Sequence, residues 1–209
     1  MDPALAILIL IILISVIIHE VAHGYAADAL GDPTARLAGR LTLNPVPHID
    51  MFGSILIPAL LVITDTPILF GYAKPVPYNP YNLRNKRWGE AIVAGAGVAT
   101  NIFLAVLFAL IARALEVPMP NAAEVAELIA RVNLYLGFFN LIPIPPLDGY
   151  TTLRGLLPFR FAYELRKFEE RMQALGPVGL ILVLLAFWFV LAEPFFFFTS
   201  VALELLLGR

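Results

Sequence analysis

The sequence predicts an all-α, polytopic membrane protein, and three observations lead to that fold class. Of the 209 residues, 60% are hydrophobic and only 14% are charged, whereas a soluble domain carries about a quarter charged residues. Several long apolar runs share the chain, on the scale of a hydrocarbon core about 30 Å thick. No stretch has the composition of a soluble domain or a low-complexity linker. We expect one integral-membrane domain over residues 1–209, with about five to six transmembrane or re-entrant segments and a short extended or β-hairpin insertion.

The net charge and the absence of cysteine limit which partners and which metal ligands we expect. The formal net charge of −2 gives no reason to expect nucleic acid as a partner. The chain has no cysteine, so disulfides and thiolate ligands are excluded and a bound metal would need His, Asp, Glu or Asn.

The first apolar run, residues 4–30, predicts one helix that ends at Gly31, with Asp32 and Pro33 just beyond. The sequence before it lacks the basic region of a signal peptide, so we expect the helix to be retained.

Two imidazoles and a carboxylate lie late in this first helix. His19 and His23 are four residues apart and share a helix face, so both can point at one metal ion, while Glu20 can take a proton from water. From Ala4 to His19 the helix rises roughly 23 Å, which places these residues at membrane depth, where ionisable groups are functional by default. The alternative is a pair of interfacial histidines with Glu20 reaching to water.

The next segments are short and rich in proline. Residues 37–50 suit a strand or loop, in which His48 and Asp50 are either a supporting pair for the metal site or solvated loop residues. Residues 52–64 are apolar but too short for a confident span. Residues 67–80 predict an extended hairpin or re-entrant loop, with a plain surface loop as the alternative.

A basic collar at residues 82–88 precedes a spanning helix predicted at 89–112. Its small residues Ala91, Gly95 and Ala99 recur every four positions, which favours close approach of another helix. Asn101 is a polar group deep in this span, and one interpretation is an interhelical hydrogen bond without a catalytic part.

The segment 122–147 begins amphipathic, becomes apolar near Asn140 and is then interrupted by three prolines. Prolines cannot continue a helix, so we expect extended chain before Asp148, with Gly149 allowing tight backbone geometry. Two histidines and one acidic residue are a common catalytic zinc set, which makes Asp148 a candidate third ligand. The alternative is that Asp148 caps the following helix.

Residues 153–175 predict an exposed or interfacial helix, and 177–192 and 194–207 predict two further hydrophobic segments of marginal length. If residues 52–80 dip into the membrane and return, the basic loops fall on one side with the His-Glu end of the first helix. The excess of Lys and Arg then predicts that this side is cytosolic.

Three stretches together resemble the site-2 protease-like intramembrane zinc metalloproteases. They are residues 19–23 (His-Glu-Val-Ala-His), 97–101 (Gly-Val-Ala-Thr-Asn) and 140–149, which ends in Leu-Asp-Gly. Residues 39–45 and 71–77 resemble the compact branch without appended domains. The chain departs from many relatives in having Val98 and Met51 where they have proline, which concerns backbone shape and not the ligands.

The resemblance implies that His19, His23 and Asp148 bind one Zn²⁺ and that Glu20 is the general base. It also implies that Asn140 and Asn101 help to position substrate or stabilise an oxyanion. The implied catalytic core is residues 4–158, with accessory segments at 177–207. The implied partners are transmembrane-helix protein substrates and the lipid bilayer, and a homo-oligomer is left open.

Two other classes of function remain at this point. A membrane transporter of metal or other ions could use the same ligands, but it would need further ionisable residues along its path, and few lie within the spans. A catalytically inactive scaffold could keep the fold, but it would have no need of Glu20 and all three ligands.

Overall fold

The computed structural model describes residues 3–56, 63 and 73–209. In that part of the chain every regular element is helical, which confirms the all-α prediction. The α-helices are α1 (Pro3–Ala29), α2 (Thr34–Leu37), α3 (Gly89–Leu115), α4 (Pro120–Asn140), α5 (Asp148–Leu156), α6 (Phe159–Ala174), α7 (Pro177–Ala186) and α8 (Ala192–Leu207). Single 3-10 turns lie at Val46–His48 and Pro80–Asn82, and π-helical turns lie at Met51–Leu56 and Phe187–Leu191.

Among the described helices, three are long and apolar enough to cross a membrane: Pro3–Ala29, Gly89–Leu115 and Ile181–Leu207. The chain is therefore a membrane protein, as its composition predicts. The predicted count of five to six segments is not confirmed by these three helices and stays a prediction.

Helix α3 is the centre of the packing, because it contacts α1, α4, α5 and α8. Where α3, α4 and α8 meet, small side chains let the helices approach closely. This core contains Ala105, Ala109, Ala112, Ala126, Ala130, Leu134, Leu203 and Leu207.

The predicted small-residue face of α3 is correct at Ala91, which is buried and whose Cβ would lie 2.7 Å from a Cβ built on Gly155 of α5, but it is wrong at the other two positions. Ala99 is exposed, and no atom of the described residues lies within 4 Å of a Cβ built on Gly95. The tight glycine contact is two residues further on, where a Cβ on Gly97 would meet both His19 and His23 within 2.7 Å. A spacing of four defines a helix face, but it does not say which face packs.

The C-terminal helices differ from prediction in two places. Pro158 divides the predicted helix 153–175 into α5 and α6, because Leu157 and Pro158 are extended, with ψ of 155° and 149°. By contrast, the two predicted segments 177–192 and 194–207 join into one span. The π-helical turn Phe187–Leu191 comes just before Pro194, and its wider turn accommodates a proline that would break a regular helix.

The connection between α2 and α3 contains no strand within its described residues. Residues 73–79 have no regular secondary structure, and they are held by hydrogen bonds from Lys74 N to His48 O (2.9 Å) and from Arg40 to Lys74 O (2.7 Å). Residues 57–62 and 64–72 lie outside the described part. The prediction for 52–64 falls largely there, as does the first part, 67–72, of the predicted hairpin at 67–80, and the hairpin stays a prediction.

Candidate metal centre

Helix α1 brings His19 and His23 onto one face, as their spacing predicts. Their Nε2 atoms are 3.0 Å apart. The Oδ2 atom of Asp148 lies 2.9 Å from the first and 3.3 Å from the second. Ligand atoms of these three residues all lie within 4.8 Å of one another. The structure therefore brings together three residues that are up to 129 positions apart in the chain (148 − 19).

Asp148 reaches the histidines at the start of α5, after a run of turns. The chain at 141–147 is bent and not extended as predicted, because Ile144 N bonds Ile142 O at 2.8 Å and Leu147 N bonds Ile144 O at 3.0 Å. Leu147 is the N-cap of α5, with no capping side chain, so the alternative in which Asp148 caps the helix is wrong. Gly149 is required here, since a Cβ on it would lie 2.1 Å from Leu141 O.

Hydrogen bonds on the far side of each imidazole decide where its proton lies. His23 Nδ1 is 2.7 Å from the backbone oxygen of Val93, which can only accept, so Nδ1 carries the proton. His19 Nδ1 is 2.5 Å from Asn101 Oδ1, which is also an acceptor. As neutral imidazoles, both residues therefore present the lone pair of Nε2 towards Asp148. In this form the buried Oδ2 of Asp148 has no hydrogen-bond donor among the described residues.

This arrangement fits a metal ion. Three electron-pair donors, two imidazole nitrogens and one carboxylate oxygen, face each other with no proton between them. A cation at this position would satisfy all three, and two His with one carboxylate leave a fourth tetrahedral position open. The missing side chain of Gly97 leaves room for both imidazole rings, because a Cβ there would lie 2.5 Å from His23 Nε2.

Glu20 lies beside this cluster and does not belong to it. Its Oε2 accepts a hydrogen bond from Val76 N at 2.8 Å, which connects it to residues 73–79. Glu20 is half-buried. The position agrees with a group that acts next to a metal ion without binding it.

The two predicted asparagines have different surroundings. Asn101 is fully buried, with Oδ1 on His19 and Nδ2 donating to Asn133 Oδ1 at 2.9 Å. The described hydrogen bond of Asn140 goes to Leu136 O in its own helix, at 3.0 Å. The predicted roles of both residues towards substrate stay predictions.

His48 and Asp50 are held within their own loop. His48 is only 2% exposed, so the interpretation as a solvated histidine is wrong. Its Nε2 bonds Thr42 O at 2.9 Å. Asp50 accepts a hydrogen bond from Gly53 N at 2.8 Å, which caps the π-helical turn that follows.

Sequence reasoning missed two groups of residues around the centre. One is Ser15 and Asn133, whose hydrogen bonds continue from Asn101; the sequence carries no signal for Asn133, because it lies in the amphipathic part of its segment. The other is an ion-pair network in which Arg154 of α5 contacts Glu90 of α3 and, at 2.8 Å, Glu169 of α6. In the sequence, Arg154 is only one of several basic residues of the predicted helix 153–175.

Tyr78 stands close to that network. Burial, with a further contribution from Glu90, raises the pKa of its hydroxyl to about 12. The phenol therefore stays protonated throughout the physiological range.

Fold and site together define a class: a helical membrane protein with a His-His-Asp cluster that could hold a metal ion, beside a glutamate. The model of Peptidase family M50 matches residues 115–187. The chain is 38% identical over 159 residues to "Putative zinc metalloprotease YwhC" of Bacillus subtilis, covering 72% of this chain and 69% of that protein. The chain therefore belongs to Peptidase family M50, the site-2 protease family.

Two other relatives match this chain over a smaller share of their own length. "Putative zinc metalloprotease Rip2" of Mycolicibacterium smegmatis is 33% identical over 148 residues, covering 68% of this chain and 53% of that protein. "Zinc metalloprotease MJ0392" of Methanocaldococcus jannaschii is 22% identical over 158 residues, covering 76% and 36%. The chain thus spans about two thirds of YwhC and about half of Rip2. No solved structure matches the chain at a significant level.

Proposed function

We propose that this protein is an intramembrane zinc metalloprotease that hydrolyses peptide bonds within or near the transmembrane helices of other membrane proteins. The observation that carries the proposal is the convergence of His19, His23 and Asp148 on a helix apolar enough to span a membrane. Membership of Peptidase family M50 supports proteolysis, and the names of the relatives support zinc as the cofactor.

In this proposal His19, His23 and Asp148 hold one zinc ion. When bound, zinc supplies Lewis acidity, which lowers the pKa of water and polarises a carbonyl group. The chain's own residues fix the geometry. Val93 O and Asn101 Oδ1 hold the two imidazole rings by their Nδ1 protons, and such outer partners orient the ligands of metal sites.

Glu20 is the proposed general base. It follows His19 directly in α1, so its carboxylate emerges beside the ligand face and not on it. The hydrogen bond from Val76 N orients the group. Glu20 takes a proton from the attacking water and passes it to the nitrogen of the leaving amine, as a base and then an acid.

Residues 73–79 are the proposed contact for the substrate backbone. A transmembrane helix hides its carbonyls in internal hydrogen bonds, so it has to unwind before hydrolysis. The irregular chain next to Glu20 carries backbone groups with which an unwound segment could pair. We place the centre towards the cytosolic side in a multi-pass arrangement, following the Lys and Arg distribution.

The catalytic assignment is tested by reconstituting the protein with zinc and a labelled transmembrane peptide. Glu20→Gln should abolish cleavage while the zinc content stays at that of the wild type, because Glu20 is not a ligand. Glu164→Gln is the matched control, since Glu164 is exposed and pairs only with Lys167 among its described contacts. Cleavage that survives Glu20→Gln would refute the mechanism, and zinc flux without cleavage would favour a transporter.

The metal centre is tested by a pair of alanine substitutions on one helix. Gly97→Ala places a methyl group against both imidazoles and should lower zinc affinity by at least about 100-fold, the upper end for changes outside the ligands themselves. Gly95→Ala makes the same change where no described atom lies within 4 Å, and zinc affinity should stay unchanged. Equal effects of the two substitutions would contradict the proposed centre.

A further inference from the structure

A chain of uncharged polar side chains connects the proposed metal centre to the middle of the helical core. It runs from His19 through Asn101 of α3 to Asn133 of α4, and Asn133 Nδ2 returns to Ser15 Oγ of α1 at 3.0 Å. Asn101 and Asn133 have no exposed surface, and Ser15 is 3% exposed. Ser15, His19 and His23 are spaced by four residues and share one face of α1.

The direction of these hydrogen bonds is fixed at a backbone carbonyl. Asn133 Nδ2 lies 2.9 Å from Ile129 O, which can only accept, so the amide nitrogen of Asn133 has to point there. Its Oδ1 then faces Asn101 and accepts from Nδ2 at 2.9 Å. Asn101 Oδ1 is consequently turned towards His19 Nδ1. The orientation of the Asn133 amide therefore determines the orientation of the Asn101 amide.

The opposite orientation of Asn101 would be harmful to metal binding. With its amide reversed, Asn101 would offer an N–H to His19 Nδ1, which would then be the acceptor. The proton of a neutral imidazole would move to Nε2, the atom that faces His23 and Asp148. A protonated Nε2 cannot bind a metal ion.

We propose that Asn133 is a positioning residue: it holds the Asn101 amide in one orientation and so keeps the Nε2 lone pair of His19 directed at the metal. This inference rests on the metal site of the proposed function. Asn133 does not touch the histidine or the ion position, and it acts only through Asn101. Because the bilayer interior provides little water to replace these bonds, the amide orientation has no competing partner.

The first test measures zinc affinity of the full chain in detergent by competition with a chelator. Asn133→Leu removes the acceptor for Asn101 and should weaken zinc binding by about 10-fold to 100-fold, the range for outer partners of metal ligands. Asn133→Asp still offers an oxygen to Asn101, so its zinc affinity should stay within about threefold of the wild type. Thr199→Val is the control, since Thr199 is also fully buried but its described hydrogen bonds go to its own helix, at Phe195 O and Phe196 O.

The second test separates orientation from packing. In Asn101→Asp, an ionised carboxylate faces His19 with oxygen in either orientation, so Asn133 has nothing left to orient. Zinc affinity of Asn101→Asp/Asn133→Leu should therefore match that of Asn101→Asp alone. A mere packing role for Asn133 predicts that the loss persists in both backgrounds.

The outcomes distinguish this inference from the proposed function. Wild-type protein without zinc affinity overturns both. Zinc binding that is unchanged in folded Asn133→Leu, lost in Asn133→Asp, or equally weakened in both backgrounds overturns the positioning role alone. If Asn133→Leu does not fold, Asn133→Ala removes the same acceptor with less steric change and takes its place in both tests.

Discussion

Asp32 and Asp148 are two aspartates at helix ends with opposite surroundings. Asp32 follows α1, has no exposed surface and accepts four hydrogen bonds: from Thr34 N and Oγ1, Asn79 N and Asn82 Nδ2. Asp148 begins α5, and its buried Oδ2 has no hydrogen-bond donor among the described residues while two imidazole nitrogens lie within 3.3 Å. Hydrogen bonds from the protein compensate the charge of Asp32, whereas the charge of Asp148 is free to be compensated by a cation.

Asp32 and Asp148 differ as a structural carboxylate differs from a carboxylate that can bind a metal ion. Burying a carboxylate is costly unless donors or a cation compensate it. At Asp32 the donors are Thr34, Asn79 and Asn82. The carboxylate therefore holds the connection between α2 and α3 against the end of α1. By contrast, α5, the helix that begins at Asp148, is held by the ion pairs of Arg154 with Glu90 and Glu169.

The largest expected effect on stability is that of Arg154→Leu. It leaves Glu169 without its buried partner, and Glu90 keeps only the more exposed Arg166 among its described ion pairs; breaking such a buried pair costs about 3–5 kcal/mol of unfolding free energy. Thermal or denaturant unfolding in detergent measures this loss. Arg209→Leu is the matched control, because Arg209 also pairs with two glutamates, Glu116 and Glu127, but is 54% exposed in its side chain; such pairs are worth about 0–1 kcal/mol. Similar losses in both variants would mean that the Arg154 network does not anchor α5.

Asp148→Asn is expected to change zinc affinity and not stability. Removing a ligand should cost more than the 10–100-fold typical of outer partners, hence above about 100-fold. The metal-free protein should unfold at no lower temperature, because the substitution removes a buried charge that has no donor. Calorimetry and chelator competition on the same preparation measure both quantities. A large loss of metal-free stability with zinc binding intact would make Asp148 structural, like Asp32.

The sequence predicted the parts of the centre that depend on local periodicity. His19 and His23 follow from the helical repeat, and Asp148 followed from the chemistry of a third ligand together with the resemblance. Which of the two aspartates lacks donors was not predictable, because the partners of Asp32 lie up to fifty positions further along the chain (82 − 32). Such contacts depend on how the connection between α2 and α3 folds back.

Other predictions were missing or wrong for identifiable physical reasons. Asn133 stands in the amphipathic segment, where a polar residue predicts nothing until its neighbours on α1 and α3 are known. The close approach on α3 is at Gly97 and not at Gly95, since spacing does not select the packed face. Pro194 predicted a break between two segments, but the π-helical turn before it keeps the last span continuous.

Asp32→Asn has the smallest expected effect, and it depends on pH. Burial alone would raise the pKa of Asp32, but hydrogen bonds from Thr34, Asn79 and Asn82 hold it below its ordinary value. A lowered pKa in the folded state stabilises the protein above the unfolded value of about 3.9, and this stabilisation is lost as pH falls through the folded pKa. At pH 7 the substitution should therefore cost about 1–3 kcal/mol of unfolding free energy.

The difference between wild type and Asp32→Asn isolates this residue from the other carboxylates that titrate in acid. It should shrink when unfolding is measured at about pH 3 instead of pH 7, whereas zinc affinity at pH 7 should be the same in both proteins. A difference that does not change with pH would show that shape and not charge holds the connection. Loss of zinc affinity in Asp32→Asn would show that the two aspartates are coupled through residues 73–79 and Glu20, and the contrast between them would then no longer hold.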